Sequence, residues 1–405
     1  MLRIHRVARA AGRGCRVSAA SRLPHFVRGP DPAVAARRLA GLRVAVAGCG
    51  SVGLGLVERL ARMGMAELLA VDPGHFKAES LLTHPVITPA AIGHSKAAFA
   101  ARHAARVNTR LRSLFAVALM QDLPLAQLRD YDLLVVATDN LESESALGTL
   151  ARRLGIPLVH AAVEGQTLTA QISVFANLRD SGPCPACLFG PLEWDRLGEN
   201  TRFSCAGGGG PARPAEPTMS VPHLCGLAAD LGTQQILRLV LSIGPPVGDT
   251  LLTFCGYSNQ VSVARMTRSE SCPCDHRAFK RVSFRRRLAS APVPAILAAA
   301  GIKPDRGCGL ELPGYLFVPC LQCRCAAVPA FRGFVTPSAE SVRCRACGRA
   351  LPLSSFHCNR VAAARLFRGT GWRAPLDRLG ARHARCALVT SESTNAIVFE
   401  ENGNS

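Results

Sequence analysis

The stretch that decides the fold is "LRVAVAGCGSVGLGLVERLARMG", residues 42–64. Its first half is a run of small and β-branched apolar residues, which is typical of a strand buried on both faces. Its second half repeats apolar residues at helical spacing, and glycines separate the two halves. The run "GCGSVG" (48–53) therefore has the G-x-G-x-x-G pattern of a strand–turn–helix unit whose backbone N–H groups receive a phosphate.

Strands and helices continue to alternate after this unit. We predict strands at 66–72, 130–140, 156–163 and 167–175, and helices at 95–108, 142–155 and 226–242. Such alternation predicts an α/β fold, a Rossmann-like doubly wound and mostly parallel sheet with helices on both faces. The glycine-rich stretch "FSCAGGGGPARPAEP" (203–217) is predicted to be a loop.

Changes in composition divide the chain into four predicted segments. These are a basic N-terminal segment (1–40), the α/β domain (41–290), a linker with a cysteine-rich ribbon (291–360) and a C-terminal tail (361–405). The first 30 residues contain no acid, which resembles a transit peptide, but a basic arm is the interpretation we favour in so arginine-rich a chain. No apolar run is long enough for a membrane span, and we expect a cytoplasmic protein.

The charge of the chain argues for an acidic protein partner rather than a nucleic acid. Among its 405 residues, arginines and lysines exceed acids by a net +20, yet only four of these cations are lysines. Aromatic residues make up 5% of the chain, and no aromatic stripe interleaves with the basic residues to stack bases. We therefore expect no nucleic-acid binding.

Eight of the 17 cysteines come in four close pairs, which in a long chain without a secretory signal indicates metal sites. "CPAC" and "CPC" bracket the glycine-rich loop and could give four thiolates to one zinc. "CLQC" and "CRAC" have the spacing of a small zinc ribbon, which docks a partner more often than it catalyses. The predicted ligands of the two zinc ions are Cys184, Cys187, Cys272 and Cys274, and Cys320, Cys323, Cys344 and Cys347.

Three polar positions accompany the glycine run. Asp72 ends the next strand, where an acid accepts hydrogen bonds from a ribose. If "GCGSVG" and Asp72 were the only signals, they would indicate an NAD-dependent oxidoreductase. Lys96 follows at a spacing that a dinucleotide site does not require. "ATDN" (137–140) places polar residues at the carboxyl end of a strand, where ligands bind in such sheets.

This constellation, over about residues 41–280, resembles the ThiF/MoeB/HesA family of adenylating enzymes related to ubiquitin activators. The matching pieces, in order, are "GCGSVG", Asp72, Lys96, "TDN", the block "PLVHAAVEGQTLTAQISVF" and the split cysteine pairs. The resemblance implies ATP- and Mg²⁺-dependent adenylation of the C-terminal glycine of a ubiquitin-like or sulfur-carrier protein ending in Gly-Gly. It also implies a homodimer and a structural zinc.

The resemblance also implies roles for individual residues. A cysteine in the crossover loop near residues 200–220, Cys205, would take the acyl group as a thioester or carry sulfur, with Cys225 as the second candidate. Lys96 would stabilise the phosphate and Asp139 would hold Mg²⁺, while Asp72 would hold the ribose. The remaining predicted nucleotide contacts are Gly48, Gly50, Ser51, Gly53 and Asn140.

The chain departs from the family pattern between the acid and the lysine. Family members usually carry Asn, Arg and Gln where this chain has Ser80, Thr83 and His84, and a second acid where it has Gly74. The loss of a cation from such a site could cost about 3 kcal/mol in the barrier. The candidates for a substitute cation are Lys77, His84 and Arg22. If none substitutes, the chain is a catalytically degenerate scaffold that binds a partner without turnover.

The zinc pattern departs as well. Family members usually show C-x-x-C in the second cysteine pair, whereas "SCPCDH" gives C-x-C, so His276 is a candidate replacement ligand. In the ribbon, Cys325 and Cys358 lie near enough in sequence to confuse the ligand assignment.

Overall fold

A computed structural model describes residues 3–8, 31–202, 220–303, 307–317, 330–332, 343–344, 347–349, 361–363 and 373–401. The chain forms two units. One consists of Met1–Leu123 with Asp130–His276, and the other of Pro124–Arg129 with Arg277–Ser405. The first unit ends at His276, whereas the sequence placed the boundary near residue 290.

Helices and strands alternate through the first unit. The helices of the described residues are α1 (Pro32–Gly41), α2 (Ser51–Arg62), α3 (Ser80–Thr83), α4 (Lys96–Val107), α5 (Leu125–Leu128), α6 (Leu141–Leu154), α7 (Pro191–Arg202), α8 (Pro222–Leu241) and α9 (Val293–Ala299). The strands are β1 (His5–Arg6), β2 (Arg43–Ala47), β3 (Glu67–Val71), β4 (Arg112–Ala116), β5 (Leu133–Val136), β6 (Leu158–Glu164), β7 (Thr169–Phe175), β8 (Thr250–Cys255), β9 (Gln260–Arg265), β10 (Lys280–Phe284), β11 (Gly309–Glu311), β12 (Tyr315–Phe317), β13 (Ala330–Arg332), β14 (Val361–Ala363), β15 (Cys386–Thr390) and β16 (Asn395–Glu400).

The sheet of the first unit has the order β1-β4-β3-β2-β5-β6-β7-β8-β9. The five strands from β4 to β6 are parallel, whereas β7, β8 and β9 join by antiparallel pairing. The chain leaves β2 toward β3 on one side and later returns to β5 on the other. The carboxyl ends of β2 and β5 therefore form a topological switch point, where ligands bind in open α/β sheets.

The core of this unit explains why these segments form strands and helices. Alternate residues of the strands, such as Val44 and Val46 of β2, pack in one cluster with apolar residues of α1, α2, α4 and α8. Right-handed crossovers that run in opposite directions from β2 and β5 place α2 and α6 on opposite faces of the sheet. The predicted doubly wound α/β fold is confirmed.

Both ends of the chain contribute more structure than their composition predicts. In the segment expected to be a basic arm, β1 pairs with β4, and the His5 ring stacks on Phe115 at 5.1 Å between ring centroids. Asp31 is the N-cap of α1, and its carboxylate accepts a hydrogen bond from the Ala33 N–H at 2.6 Å. Pairing with the distant strand β4 and helix capping order these parts despite the basic composition.

The second unit has a five-stranded sheet with the order β10-β16-β15-β11-β14 and a separate pair, β12 and β13. The segment 361–405, expected to be a tail, supplies β14, β15 and β16. Alternating apolar residues of β15 and β16, including Val389 and Val398, pack in its core with Ile296 and Leu297 of α9. Arg129 belongs to this unit because its guanidinium donates to the Glu400 carbonyl at 2.6 Å.

Among the described residues, no helix combines the length and apolar character that a membrane span requires.

Candidate functional site

The glycine run forms a tight turn at the switch point of the sheet. Gly48 has a φ of +86°, and its N–H donates to the Val71 carbonyl at 2.9 Å. A Cβ on Gly53 would lie 2.0 Å from the Gly48 carbonyl oxygen, so no other residue fits there without a backbone shift. Gly50 is the N-cap of α2, whose first N–H groups lack intrahelical partners and form an anion-binding end.

Asp72 connects this turn to the segment that follows β3. One carboxylate oxygen accepts the Cys49 N–H at 2.7 Å, and the other accepts the Gly74 N–H at 2.6 Å. The residue is 8% exposed, and each oxygen keeps a second lone pair for a ligand hydroxyl. Asp72 therefore shapes the turn itself, a role that the sequence did not reveal, and its contact with a ribose stays a prediction.

Lys96 lies beside the same turn as the first residue of α4. Its backbone N–H donates to the Gly74 carbonyl at 3.0 Å, and Ser95 caps the helix. A Cβ on Gly74 would lie 3.7 Å from Cδ and 3.8 Å from Cε of Lys96. The aliphatic part of the Lys96 side chain thus lies next to Gly74, which stands where family members usually carry a second acid. The structure brings together three of the groups predicted to bind nucleotide: the glycine turn, Asp72 and Lys96.

His84 adjoins the turn but is not a substitute cation. Its Nδ1 lies 3.1 Å from the Thr83 hydroxyl and 3.4 Å from the Ser51 hydroxyl. Burial, followed by the positive charge of Lys96, lowers the pKa of His84 to about 4. The imidazole is therefore neutral at neutral pH. Of the other two candidates, Lys77 is exposed and Arg22 lies outside the described residues.

The polar run after β5 reaches the turn from the neighbouring strand. The Ala137 N–H donates to the Ala47 carbonyl at 2.8 Å, and a Cβ on Gly48 would lie 2.5 Å from the Ala137 carbonyl oxygen. Asp139 follows at the exposed carboxyl end of the strand. The side chain of Asn140 accepts the Ser143 N–H at 3.0 Å and so caps α6. Asn140 thus has a structural role, and its contact with the nucleotide stays a prediction.

A buried acid–base pair, Glu144 and His160, lies close to Asp139. The sequence analysis assigned this pair no role. Glu144 Oε1 lies 3.5 Å from His160 Nε2. Burial, followed by the charge of Asp139, raises the pKa of Glu144 to about 8, and burial lowers the pKa of His160 to about 4. Both shifts favour a neutral pair. The sequence carried no signal for it, because α6 and β6 bring the two side chains together only in the folded sheet.

The Glu144→Gln variant is expected to lose less stability than the parent protein as the pH rises from about 5 to about 8. Because folding raises the pKa of Glu144 from 4.5 to about 8, the folded state holds the proton more tightly. The stability that this proton contributes is complete below the unfolded pKa and is lost as pH rises through about 8, at up to about 1.4 kcal/mol per pH unit. Glutamine stays neutral throughout this window.

Urea unfolding at about pH 5 and about pH 8 measures this difference. Glu142→Gln is the matched control, since Glu142 is an exposed acid in the first turn of the same helix. An equal pH dependence in parent and Glu144→Gln would contradict the assignment.

A second cluster in this unit has the composition of a metal site. The Sγ atoms of Cys184, Cys187 and Cys272 and a ring nitrogen of His276 all lie within 4.8 Å of one another. His276 Nε2 is 3.5 Å, 3.6 Å and 3.4 Å from these three sulfurs, respectively. Three thiolates and one imidazole are a common tetrahedral donor set for Zn²⁺, so the residues fit that ion.

This cluster differs from the predicted four-cysteine site in one ligand. His276 takes the place given to Cys274, whose sulfur instead lies 3.2 Å from the Ser145 hydroxyl. Hydrogen bonding from Cys184 lowers the pKa of Cys187 to about 5, so the cluster already favours a thiolate there. The full ligand set stays a prediction.

Hydrogen bonds around the cluster fix the orientation of the histidine. His276 Nδ1 donates to the Gly182 carbonyl at 3.1 Å, which leaves Nε2 as the free lone pair facing the sulfurs. The same carbonyl accepts from the buried Arg152 guanidinium at 2.9 Å. Arg152 also donates to the Pro183 carbonyl at 3.0 Å, next to Cys184. The sequence gave no sign of this arginine.

Only part of the predicted ribbon and crossover loop falls within the described residues. The Cys344 N–H donates to the Arg349 carbonyl and the Gly348 N–H to the Cys344 carbonyl, each at 2.8 Å, so Cys344 and Cys347 share a tight turn. Cys205, Cys320 and Cys323 lie outside the described residues, as do Cys325 and Cys358. Their roles stay predictions. Cys225 is 1% exposed in the core, where burial raises the pKa of its thiol.

The fold and the two clusters define an α/β domain with a lysine and an acid beside its glycine turn and a separate Cys/His cluster that fits a metal ion. The chain belongs to the ThiF family, whose sequence pattern matches residues 30–274. The family predicted from the sequence is therefore confirmed.

Several curated relatives are adenylyltransferases by name. Mouse "Adenylyltransferase and sulfurtransferase MOCS3" is 28% identical over 235 residues, which are 57% of this chain and 46% of that protein. The Thermus thermophilus "Sulfur carrier protein adenylyltransferase" is 25% identical over 244 residues, 58% of this chain and 83% of the relative. The chain thus spans about half the length of the MOCS3 relatives. The structure of E. coli MccB aligns with a TM-score of 0.49 at 16% identity, covering 60% of this chain and 69% of MccB.

Proposed function

We propose that this protein uses ATP to adenylate the C-terminal carboxylate of a small ubiquitin-like or sulfur-carrier protein. The observation that carries the proposal is the meeting of Lys96 and Asp72 at the glycine turn. A dinucleotide site needs the turn and the acid, whereas an acyl-adenylate site also needs a cation beside the reacting phosphate. The names of the relatives support the same reaction.

The residues of the site suit each part of this reaction. An oxygen of the carboxylate bonds to the α-phosphorus of ATP while the bond to pyrophosphate breaks, which leaves an acyl-adenylate. Negative charge grows on the phosphate oxygens in the transition state, and the Lys96 ammonium and the N-terminus of α2 would stabilise it. Asp139, exposed at the end of β5, would hold Mg²⁺, which neutralises further phosphate charge when bound.

The metal cluster has a structural role in this proposal. Zn²⁺ held by Cys184, Cys187, Cys272 and His276 would join the segment after β7 to the segment after β9. In sequence these segments bracket the predicted crossover loop together with α8, β8 and β9, so the metal would fix the segment that leads into the loop. The many reduced thiols suit a reducing compartment such as the cytoplasm.

The proposed partner is a small protein that ends in Gly-Gly, since a chain terminus without side chains can enter a narrow site. A relative from Haloferax volcanii, 31% identical over 156 residues, is by name a SAMP-activating enzyme E1. We also propose a homodimer and a role for Cys205 as acceptor of the activated acyl group. Sedimentation and an intact-mass search for a thioester test these two parts separately.

A scaffold without turnover is the second candidate, and the site provides a specific reason for it. Thr83 stands where the family carries arginine, and the neighbouring His84 is neutral. The third interpretation, an NAD-dependent oxidoreductase, uses only the glycine turn and Asp72 and leaves Lys96 without a function.

We expect the purified protein to catalyse ATP–pyrophosphate exchange when Mg²⁺ and the correct Gly-Gly protein are present. Exchange reports adenylation directly, because only reversal of the acyl-adenylate step returns labelled pyrophosphate to ATP. A carrier that lacks its last glycine is the matched control. ATP binding without exchange for any candidate carrier would favour the scaffold, and NAD binding without ATP binding would favour the oxidoreductase.

A further inference from the structure

We infer that one end of the five-stranded sheet is a docking surface for an acidic segment of a partner protein, which binds there through a cluster of exposed arginines. The inference goes beyond the proposed function, because this cluster belongs to the second unit and takes no part in the glycine turn or the metal cluster. We call it the basic end of the sheet. Its members are Arg285, Arg286, Arg287, Arg382 and Arg385.

The pairing of the strands brings two arginine-rich segments together at the basic end. β10 runs parallel to β16, with Phe284 beside Glu400, and β15 runs antiparallel to β16. The residues that follow β10 and those that precede β15 therefore lie at the same end of the sheet. The Glu400 N–H donates to the Arg385 carbonyl at 2.9 Å. The Arg287 guanidinium donates to the Arg382 carbonyl at 3.2 Å, which joins the two segments directly.

The positive charge of the basic end exceeds the negative charge of the acids around it. All five arginines are exposed, and among the described residues none of them forms an ion pair. The acids in the adjoining segments are Asp377, Glu400 and Glu401. Glu400 is half-buried, and one of its carboxylate oxygens accepts the Leu288 N–H at 2.9 Å. The arginines therefore repel one another, and an anionic partner would relieve this repulsion.

The chemistry of the surface favours a protein segment rich in Asp and Glu over a nucleic acid or a membrane. Each planar guanidinium can bind a carboxylate through two parallel hydrogen bonds. Among the described residues, the second unit has no exposed large apolar or aromatic side chain. Base stacking and insertion into a membrane surface both need such side chains. Charge complementarity is therefore the property by which this surface recognises its partner.

Replacing Arg285, Arg286 and Arg382 together with glutamine is expected to weaken binding of a fluorescein-labelled oligoglutamate peptide at least about tenfold. Fluorescence anisotropy with the full chain measures the affinity. Added salt should weaken binding to the parent protein, because salt screens exposed charges. A photo-crosslinking oligoglutamate peptide, applied to the unchanged parent protein, is expected to label the basic end. This second measurement does not depend on how the variant folds.

The matched control is the triple variant Arg37→Gln, Arg102→Gln and Arg110→Gln. It removes the same number of exposed arginines from the first unit and so changes the net charge equally. Its affinity for the peptide should stay within about twofold of the parent value.

Three results would overturn the inference. Equal weakening in both triple variants would show that the peptide responds to net charge alone, and crosslinks outside the basic end would place the contact elsewhere. Tighter binding of a DNA duplex than of the peptide, lost in the same variant, would assign the surface to nucleic acid instead. None of these measurements involves ATP, so failure of the proposed adenylation would leave them unchanged.

Discussion

Replacing Lys96 with alanine is expected to lower ATP–pyrophosphate exchange by at least about 100-fold, which corresponds to about 2.7 kcal/mol in the barrier. The reason is that the Lys96 side chain lies beside Gly74 and the glycine turn, while His84 is neutral there. Because charge on the phosphate grows in the transition state, ATP affinity should fall much less than the rate. Exchange kinetics and calorimetric ATP binding measure the two effects.

Lys280→Ala is the matched control for this experiment. Lys280 is an exposed lysine of β10, far from Lys96 in sequence, so its loss should leave exchange unchanged. Lys96→Arg should recover part of the rate, since it keeps the charge but changes the shape of the cation. Full exchange in Lys96→Ala would show that another cation acts on the phosphate.

Replacing Cys272 with serine is expected to lower zinc affinity by on the order of 100-fold or more and to destabilise the first unit by several kcal/mol. A structural metal contributes its binding free energy to folding, and Cys272 connects the segment after β9 to the two cysteines after β7. Cys274→Ser is the matched control, because Cys274 lies only two residues away and is not in the four-ligand set.

Metal content by atomic emission and thermal unfolding measure the loss of zinc. Cobalt substitution adds a spectroscopic test, because the charge-transfer band of Co²⁺ scales with the number of thiolate ligands. Three thiolates in the parent protein and in Cys274→Ser would support the Cys₃His set. Loss of metal in Cys274→Ser together with retention in His276→Asn would instead establish a four-cysteine site.

The glycine turn, Asp72 and Lys96 could be predicted from sequence because each follows from a local pattern. The end of an apolar strand, the G-x-G-x-x-G spacing and the start of a helix fix the turn within a few residues. Parallel strands then carry Asp72 to the same edge of the sheet. The family resemblance supplied Lys96 in the same way, by its order along the chain.

The metal cluster shows where local pattern stops being sufficient. The spacing of Cys272 and Cys274 predicts a cysteine pair as ligands, whereas the fold also brings His276 to the sulfurs, with its Nδ1 donating to the Gly182 carbonyl that accepts from Arg152. These two partners belong to distant segments that meet only in the tertiary structure. The charge state of His84 could not be predicted from sequence either, because it depends on burial and on Lys96 rather than on its neighbours in sequence.

The close fit of Gly53 against the Gly48 carbonyl has a consequence for how a ligand arrives. Since the turn is packed to the limit of atomic contact and tied by Asp72, its backbone entropy is lost when the chain folds and not when a ligand binds. The nucleotide site at this turn is therefore preformed, and ordering the protein costs little of the binding free energy. Association at this turn should accordingly be fast and insensitive to the slow opening and closing that mobile loops impose.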